Sequence, residues 1–138
     1  MKIIKINHLG IVPKDMQTAK SFFTNILQLP YEGQESVADQ KVIVDFLTVG
    51  DSRLELLSPL TLQSSSSSPI TKFLETKGGG IHHIALEVDN LEEWLVYLKE
   101  NKVDLIDKQV RGGAHDTKIA FLHPRATGGI LVELVEQH

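Results

Sequence analysis

GGGIHHIALEVDNLEEW, residues 78–94, decides the fold, because it predicts a glycine-rich turn, a strand and the beginning of a helix. In a strand, successive side chains point to opposite faces. His83 therefore shares one face with Ala85 and Glu87, whereas His82 lies on the other face among apolar residues. Two adjacent histidines thus point in opposite directions, and one of them can face a functional partner.

A second copy of the pattern lies near the start of the chain. INHLGIVPKDM, residues 6–16, aligns without gaps with IHHIALEVDNL, residues 81–91, so that His8 matches His83 at an offset of 75. Each matched histidine has a small residue two positions later, Gly10 in the first copy, which leaves room above the sheet. The match singles out His83 as the functional histidine and leaves a structural or supporting role for its neighbour.

Each copy continues into a predicted helix. Asp15 can cap the first helix, and Asn90 stands three residues before Glu93, the spacing of a capping box. Apolar residues then recur near the i, i+3, i+4, i+7 spacing of an amphipathic helix. They are Ala19, Phe22, Phe23, Ile26 and Leu27 in the first copy and Leu91, Trp94, Leu95 and Leu98 in the second.

Strand-like segments follow each helix in the same order. Their ranges are 41–51 and 53–59 in the first copy, and 117–124 and 130–136 in the second. The last strand of each copy holds one glutamate between apolar neighbours, Glu55 and Glu133, at an offset of 78. Each half is thus predicted to be a strand, a helix and about three strands, which gives an α+β fold of two paired modules.

A low-complexity segment separates the two copies. Five serines, residues 64–68, predict a mobile loop, and Pro69 suits the first turn of a short helix, PITKFLET. We therefore expect a single domain with a linker between two modules. The predicted ranges are 1–138 for the domain, about 1–62 for module 1, 63–79 for the linker and short helix, and about 80–138 for module 2.

Composition narrows the classes of function. The 138 residues suffice for one domain with a substantial core, and 41% hydrophobic and 23% charged residues are ordinary for a globular protein. A net charge of −4 does not fit nucleic-acid binding, and the lack of cysteine excludes disulfides, thiolate catalysis and cysteine zinc sites. We expect no signal peptide and no membrane association, and a cytoplasmic location fits these features.

The two matched glutamates need partners. Burying a lone carboxylate inside an apolar strand costs several kcal/mol or shifts its pKa. If the two halves pair about a pseudo-twofold axis, the matched imidazoles and carboxylates converge, and such a set suits a divalent metal such as Zn, Co, Mn, Ni or Fe. The four residues are His8, Glu55, His83 and Glu133. A single strand histidine or glutamate is more often structural, but four at matched places of a repeat favour a metal site.

Four segments, distributed between residues 6 and 136, are INHLGIV, VGDSRLELLSP, SPITKFLETKGGGIHHIALEVDN and KIAFLHPRATGGILVELVE. In these segments the chain resembles the methylmalonyl-CoA epimerases, a family of the vicinal-oxygen-chelate (glyoxalase) superfamily. The histidine and glutamate pattern is common to the superfamily, whereas GIHHIA and LHPRATGG are closer to the epimerases. The resemblance implies two paired βαβββ modules that form a cupped mixed sheet around a metal site, and it implies a homodimer.

The resemblance also implies roles for the four matched residues. His8, His83 and Glu133 fall on metal-ligand positions of the family, as does Glu55, for one divalent metal per chain (Co, Zn, Mn, Ni or Mg). The implied reaction interconverts (2R)- and (2S)-methylmalonyl-CoA by proton transfer at C2 through a metal-stabilised enolate. One of the two proton-transfer roles is assigned to Glu133.

The chain departs from some relatives at one position. Where those relatives carry a second glutamate base, this chain has Val44, and strand alternation points the neighbouring Asp45 to the other face. Our hypothesis is that Glu55 serves both as a metal ligand and as the second proton-transfer group.

Three basic residues are candidates for binding an acyl-CoA substrate: Arg111, Lys118 and Arg125. Solvated loop charges are an equally good interpretation of each. A glyoxalase I-type lactoylglutathione lyase, or another isomerase of the superfamily, could use the same four ligands and is the alternative function. A protein that sequesters small drug molecules is the alternative from another class, although such members often lack metal ligands.

Overall fold

The computed structural model describes residues 1–60 and 68–138. Both halves run as strand, helix and three strands, which confirms the predicted α+β fold. The first half contains β1 (Ile3–Val12), α1 (Met16–Ser21), β2 (Tyr31–Val37), β3 (Val42–Val49) and β4 (Ser52–Pro59). After α2 (Pro69–Lys77), the second half contains β5 (Gly80–Val88), α3 (Leu91–Glu100), β6 (Arg111–Gly112), β7 (Lys118–Leu122) and β8 (Val132–Glu136).

The chain divides into two compact units, and the division falls inside β1 and β5. The first unit is Met1–His8 together with His83–His138, and the second unit is Leu9–His82. His8 and His83 therefore belong to the same unit, although many residues separate them in the sequence. The expected single domain of two sequence modules stays a prediction.

Three antiparallel strands follow one another in the second unit. β3 pairs with β2 and with β4. Phe46, Leu47 and Leu56 of these strands are almost wholly buried, as expected for large apolar residues on a pleated sheet. The turn between β3 and β4 requires Gly50, whose φ of 58° lies in the left-handed region that favours glycine.

The first helix begins as predicted, but none of its apolar side chains is buried. The Asp15 carboxylate accepts a hydrogen bond from the Thr18 amide at 3.0 Å and so caps α1. A π-helical turn, Phe22–Ile26, continues the helix. Within residues 16–26, all of which the structure describes, no side chain is buried, and the large apolar residues Phe22, Ile26 and Leu27 are exposed. Periodicity thus predicted the helix but not what covers its apolar face.

Ser68 and Pro69 start α2, as the sequence predicts for the proline. The Ser68 hydroxyl accepts a hydrogen bond from the Ile70 amide at 3.1 Å and donates one to the Lys41 carbonyl at 2.7 Å. The rest of the serine run, 64–67, for which a mobile loop is predicted, lies outside the described residues. Among the helices that the structure describes, none has both the length and the apolar character needed to cross a lipid bilayer.

In the first unit, β8 lies between β5 and β7. It is parallel to β5 and antiparallel to β7, which also pairs with the short β6. Asn90 caps α3 as predicted, because its side chain accepts a hydrogen bond from the Glu93 amide at 3.2 Å. α3 packs on the sheet through a buried core of Val88, Leu91, Leu95, Ala120, Leu122 and Leu134. This core fixes the two strands that carry His83 and Glu133.

Candidate metal centre

Three of the four predicted ligands lie together in the first unit. β1 carries His8, β5 carries His83 and β8 carries Glu133, and each side chain is buried, with at most 6% of the residue exposed. Glu133 lies in register with Ala85 on the neighbouring strand. Because Ala85 shares a face with His83 and has only a methyl group, the Glu133 carboxylate has room to reach the imidazole.

The three side chains converge on one small region. The Nε2 atoms of His8 and His83 are 3.1 Å apart, and each lies 3.1 Å from Oε1 of Glu133. The two imidazole rings meet edge to face, with an interplanar angle of 86°. Each residue thus offers one potential ligand atom to a common centre.

This arrangement fits a divalent metal ion on two grounds. Ligand atoms bound at about 2.1 Å with right angles between them lie about 3 Å apart, close to the 3.1 Å separation of the three atoms. Two imidazole nitrogens and one carboxylate oxygen also form a ligand set that catalytic metal sites use with further positions open. The residues present therefore fit the metal that the sequence predicts.

Glu133 is ionised at neutral pH. Burial by itself raises the pKa of Glu133, but hydrogen bonds and charge interactions with His8 and His83 outweigh it and lower the pKa from 4.5 to about 2. An imidazole lowers this pKa only in the form in which its ring nitrogen carries a proton and donates it to the carboxylate. At neutral pH, the carboxylate contributes the negative charge that a buried cation requires.

Residues behind His8 hold its imidazole in place. Asn7 is 3% exposed, and its Oδ1 lies 2.6 Å from Nδ1 of His8. The Asn7 Nδ2 group donates a hydrogen bond to Oε1 of Glu87 at 3.0 Å. The sequence interpretation missed both contacts. An asparagine next to the matched histidine, and a glutamate on the same face as His83, were the available signals.

Aromatic contacts distinguish the two adjacent histidines. The rings of His83 and Phe121 meet edge to face at a centroid distance of 5.4 Å in the first unit. His82 instead meets Phe73 of α2 at 5.0 Å in the second unit. His82 thus packs against a helix, and its orientation relative to His83 stays a prediction.

Residues 7–121 match the family described as the Glyoxalase/Bleomycin resistance protein/Dioxygenase superfamily. The chain belongs to this superfamily. The uncharacterized protein YqjC of Bacillus subtilis is 46% identical over 132 residues, which cover 96% of this chain and 91% of that protein. The mitochondrial methylmalonyl-CoA epimerase of Homo sapiens is 38% identical over 131 residues, which cover 94% of this chain and 72% of that protein.

Solved structures extend the same comparison. A methylmalonyl-CoA epimerase in complex with methylmalonyl-CoA and NH4+ is similar to this chain with a TM-score of 0.89 and 27% identity. The similarity covers 99% of this chain and 96% of that one. Together with the family match, it confirms the predicted fold of the vicinal-oxygen-chelate superfamily.

Glu55, the fourth predicted ligand, belongs to the second unit. It lies on β4, is 4% exposed, and its Oε2 accepts a hydrogen bond from Nη2 of Arg53 at 3.2 Å. The Arg53 guanidinium also lies over the ring of Phe46, 5.4 Å from its centroid. A buried carboxylate in this strand does have a charged partner, as its desolvation requires. The role of Glu55 as a metal ligand stays a prediction.

The position where some relatives carry a second base is apolar and buried here, since Val44 is 3% exposed. Its neighbour Asp45 is also buried and accepts hydrogen bonds from three donors. These are the Tyr31 hydroxyl at 2.6 Å, Nζ of Lys20 at 3.2 Å and Nε2 of Gln34 at 3.2 Å. Asp45 is thus tied to β2 and α1 by groups that donate hydrogen bonds to it.

The three candidate substrate-binding residues each have an acidic partner in the first unit. Nη1 of Arg111 lies 3.1 Å from the buried Asp107, whose other oxygen accepts a hydrogen bond from the Phe121 amide at 2.8 Å. Lys118 lies 3.9 Å from Glu136. Arg125, a largely exposed residue, pairs with Asp104 at 3.2 Å. Arg111 is the most firmly positioned of the three, and their contact with substrate stays a prediction.

Proposed function

We propose that this chain is a metal-dependent epimerase that interconverts (2R)- and (2S)-methylmalonyl-CoA by proton transfer at C2. The observation that carries the proposal is the convergence of His8, His83 and Glu133, whose potential ligand atoms are 3.1 Å from one another. Membership of the superfamily and the 38% identity to a named methylmalonyl-CoA epimerase support the choice of substrate.

In this proposal His8, His83 and Glu133 hold one divalent ion, Co, Zn, Mn, Ni or Mg, and Glu55 is the fourth ligand. A bound ion would supply Lewis-acid stabilisation of the negative charge that develops when the C2 proton leaves. The buried position of the three described ligands excludes water from their side of the site, which strengthens electrostatic interactions there.

Two carboxylates are proposed to move the proton. Glu133 is ionised at neutral pH and so can accept one, although a pKa of about 2 suits a ligand better than a strong base. Glu55 is proposed as the second proton-transfer group, and Arg53 places a positive charge beside it. The test is Glu55→Gln with metal content measured: turnover and solvent-deuterium exchange should both fall. If the metal stays and neither rate changes, Glu55 has no such role.

Arg111, Lys118 and Arg125 are proposed to contact the phosphates of the acyl-CoA. Arg111 is the best candidate, because Asp107 already holds its guanidinium in a half-buried position. Arg111→Met should raise KM for the acyl-CoA with a smaller change in kcat, and Lys99→Met, which removes an exposed positive charge of α3 that has no proposed role in binding, is the matched control. An unchanged KM in Arg111→Met would remove this residue from the substrate site.

A homodimer in the cytoplasm completes the proposal, and the support for the dimer is the family resemblance. Sedimentation equilibrium of the purified chain should give twice the mass of 15.4 kDa. A monomer that retains full turnover would show that the reaction needs no partner subunit.

The experiment that tests the function is proton NMR in D2O on racemic methylmalonyl-CoA, with Co2+ added to the purified protein. Rapid loss of the C2 proton signal is expected, and His83→Ala should abolish it. Methylglyoxal with glutathione is assayed in parallel. Turnover of that hemithioacetal without C2 exchange would favour the glyoxalase alternative, and a chain that binds no stoichiometric metal would favour the sequestering protein.

A further inference from the structure

Three side chains, those of Glu87, Asn7 and His8, are connected in series by hydrogen bonds. Oε1 of Glu87 accepts a hydrogen bond from Nδ2 of Asn7 at 3.0 Å, and Oδ1 of Asn7 lies 2.6 Å from Nδ1 of His8. We propose that Asn7, oriented by Glu87, is a positioning residue that holds His8 with its proton on Nδ1 and the lone pair of Nε2 directed to the metal site. This inference rests on the proposed metal site.

The chemistry of Glu87 determines which atoms of this hydrogen-bonded series donate and which accept. An ionised carboxylate only accepts hydrogen bonds, so the amide group of Asn7 that faces Glu87 must be its NH2 group. The opposite end of the amide is then the carbonyl oxygen, which also only accepts. Nδ1 of His8 must therefore donate to it, and a neutral imidazole with a proton on Nδ1 has none on Nε2.

His8 is thereby held with one ring nitrogen, Nε2, available as a metal ligand. Nε2 of His8 lies 3.1 Å from both Oε1 of Glu133 and Nε2 of His83. In the neutral imidazole, the unprotonated Nε2 and the Glu133 carboxylate oxygen face each other with lone pairs, a repulsion that a cation relieves. Metal-bound histidines commonly donate their second N–H to a carboxylate or carbonyl that fixes the ring and the tautomer. Here an amide carbonyl, itself fixed by a carboxylate, serves that purpose.

Burial makes the arrangement rigid. Asn7 and His8 are 3% and 6% exposed, so water has little access to the hydrogen bond between them. Glu87 lies on the same face of β5 as His83, and the two contacts therefore link β1 to β5 beside the site. Loss of the Asn7 amide removes the contact that fixes the tautomer of His8.

The first test compares Asn7→Ala with the wild-type protein. Affinity for Co2+, measured by competition with a chromogenic chelator, should fall about 10- to 100-fold, as for other residues that support metal ligands. Asn90→Ala is the matched control, because it removes a helix cap in the same unit, lowers stability, and should leave Co2+ affinity unchanged. A stability loss alone therefore cannot account for the expected result.

The second readout observes His8 directly. In protein labelled with 15N-histidine and loaded with Zn2+, NMR should show Nε2 of His8 bound to the metal and a protected N–H at Nδ1. In Asn7→Ala that N–H should exchange faster with water. Metal bound through Nδ1, or the same N–H protection and the same Co2+ affinity in Asn7→Ala as in the wild type, would overturn the proposal.

Exchanging the amide and the carboxylate between positions 7 and 87 provides a rescue experiment. Asn7→Asp places a carboxylate against Glu87 and should weaken Co2+ binding through repulsion. Adding Glu87→Gln lets the new amide donate to the new carboxylate, which still accepts from His8, so affinity should return. Failure of the double variant to recover would count against the positioning role. If the wild-type protein binds Co2+ but does not epimerise methylmalonyl-CoA, only the proposed function is contradicted. The affinity, NMR and rescue experiments then still decide the role of Asn7.

Discussion

Two buried carboxylates, Glu133 on β8 and Asp45 on β3, have opposite kinds of surroundings. Asp45 is 2% exposed and accepts hydrogen bonds from an ammonium, a phenol and an amide, three groups that donate to it. Glu133 is 4% exposed and faces two imidazoles, whose nitrogens donate or accept according to their protonation.

The difference separates a structural carboxylate from a metal ligand. The partners of Asp45 satisfy its charge and offer no lone pair to a cation. The partners of Glu133 can both turn lone pairs toward the point that its carboxylate faces, so this cluster can hold a metal ion. Burial alone does not mark a functional carboxylate; the identity of its neighbours does.

Neutralising Glu133 or Asp45 should give the largest difference between the two carboxylates, which is a difference in Co2+ affinity. Glu133→Gln keeps the side-chain volume but removes the anionic ligand, and Co2+ affinity should fall by more than the roughly 10- to 100-fold typical of residues that only support a ligand. Asp45→Asn should bind Co2+ as the wild type does. Metal content after dialysis and a competition titration measure both. Equal losses in the two variants would mean that the metal does not bind at the histidine cluster.

Acid should destabilise the metal-free protein through Glu133. Its folded-state pKa of about 2 lies below the ordinary 4.5, so its stabilisation is present above pH 4.5 and is lost as pH falls from 4.5 through 2. The loss should amount to about 3 kcal/mol of the free energy of unfolding. Urea unfolding of EDTA-treated protein across that range measures it, and Glu133→Gln should show a flatter dependence. Parallel curves for the two proteins would contradict the lowered pKa.

The contrast between the two carboxylates was only partly visible in the sequence. The repeat paired His8 with His83, and apolar neighbours marked Glu133 as buried, because strand periodicity and an offset can be read along one chain. The partners of Asp45 come from α1 and β2, and Asn7 meets Glu87 across 80 positions. Such contacts depend on how helices and strands pack against one another, and the hydrophobic periodicity of a sequence does not determine that packing. In the same way, periodicity predicted the helix that carries Phe22 but not that this apolar side chain is exposed.

Loss of the Asp45 charge should weaken the fold without affecting the metal. In Asp45→Asn the ion pair to Lys20 disappears, and the new amide can accept fewer of the hydrogen bonds from Tyr31 and Gln34. The free energy of unfolding should fall by about 2 kcal/mol, the usual cost of disturbing a buried charged hydrogen-bond group. Urea titration at neutral pH measures the loss. Glu75→Gln, at an exposed position of α2, is the control and should leave the stability near that of the wild type.

The smallest effect is expected at the phenol that donates to Asp45. Tyr31→Phe removes two hydrogen bonds, the one that the phenol donates to Asp45 and the one that it accepts from Lys20, and should cost about 1 kcal/mol. The hydrogen bond to Asp45 and burial raise the pKa of Tyr31 above 10.0, so its stabilisation is complete below pH 10 and is lost as pH rises through the raised value. The pKa of Lys20 is raised too, chiefly by its hydrogen bond to Tyr31. Urea titrations above pH 10 should therefore show stability falling less steeply in Tyr31→Phe than in the wild type. If the two slopes are equal, the phenol does not donate to Asp45, and the contrast with Glu133 then rests on Lys20 and Gln34 alone.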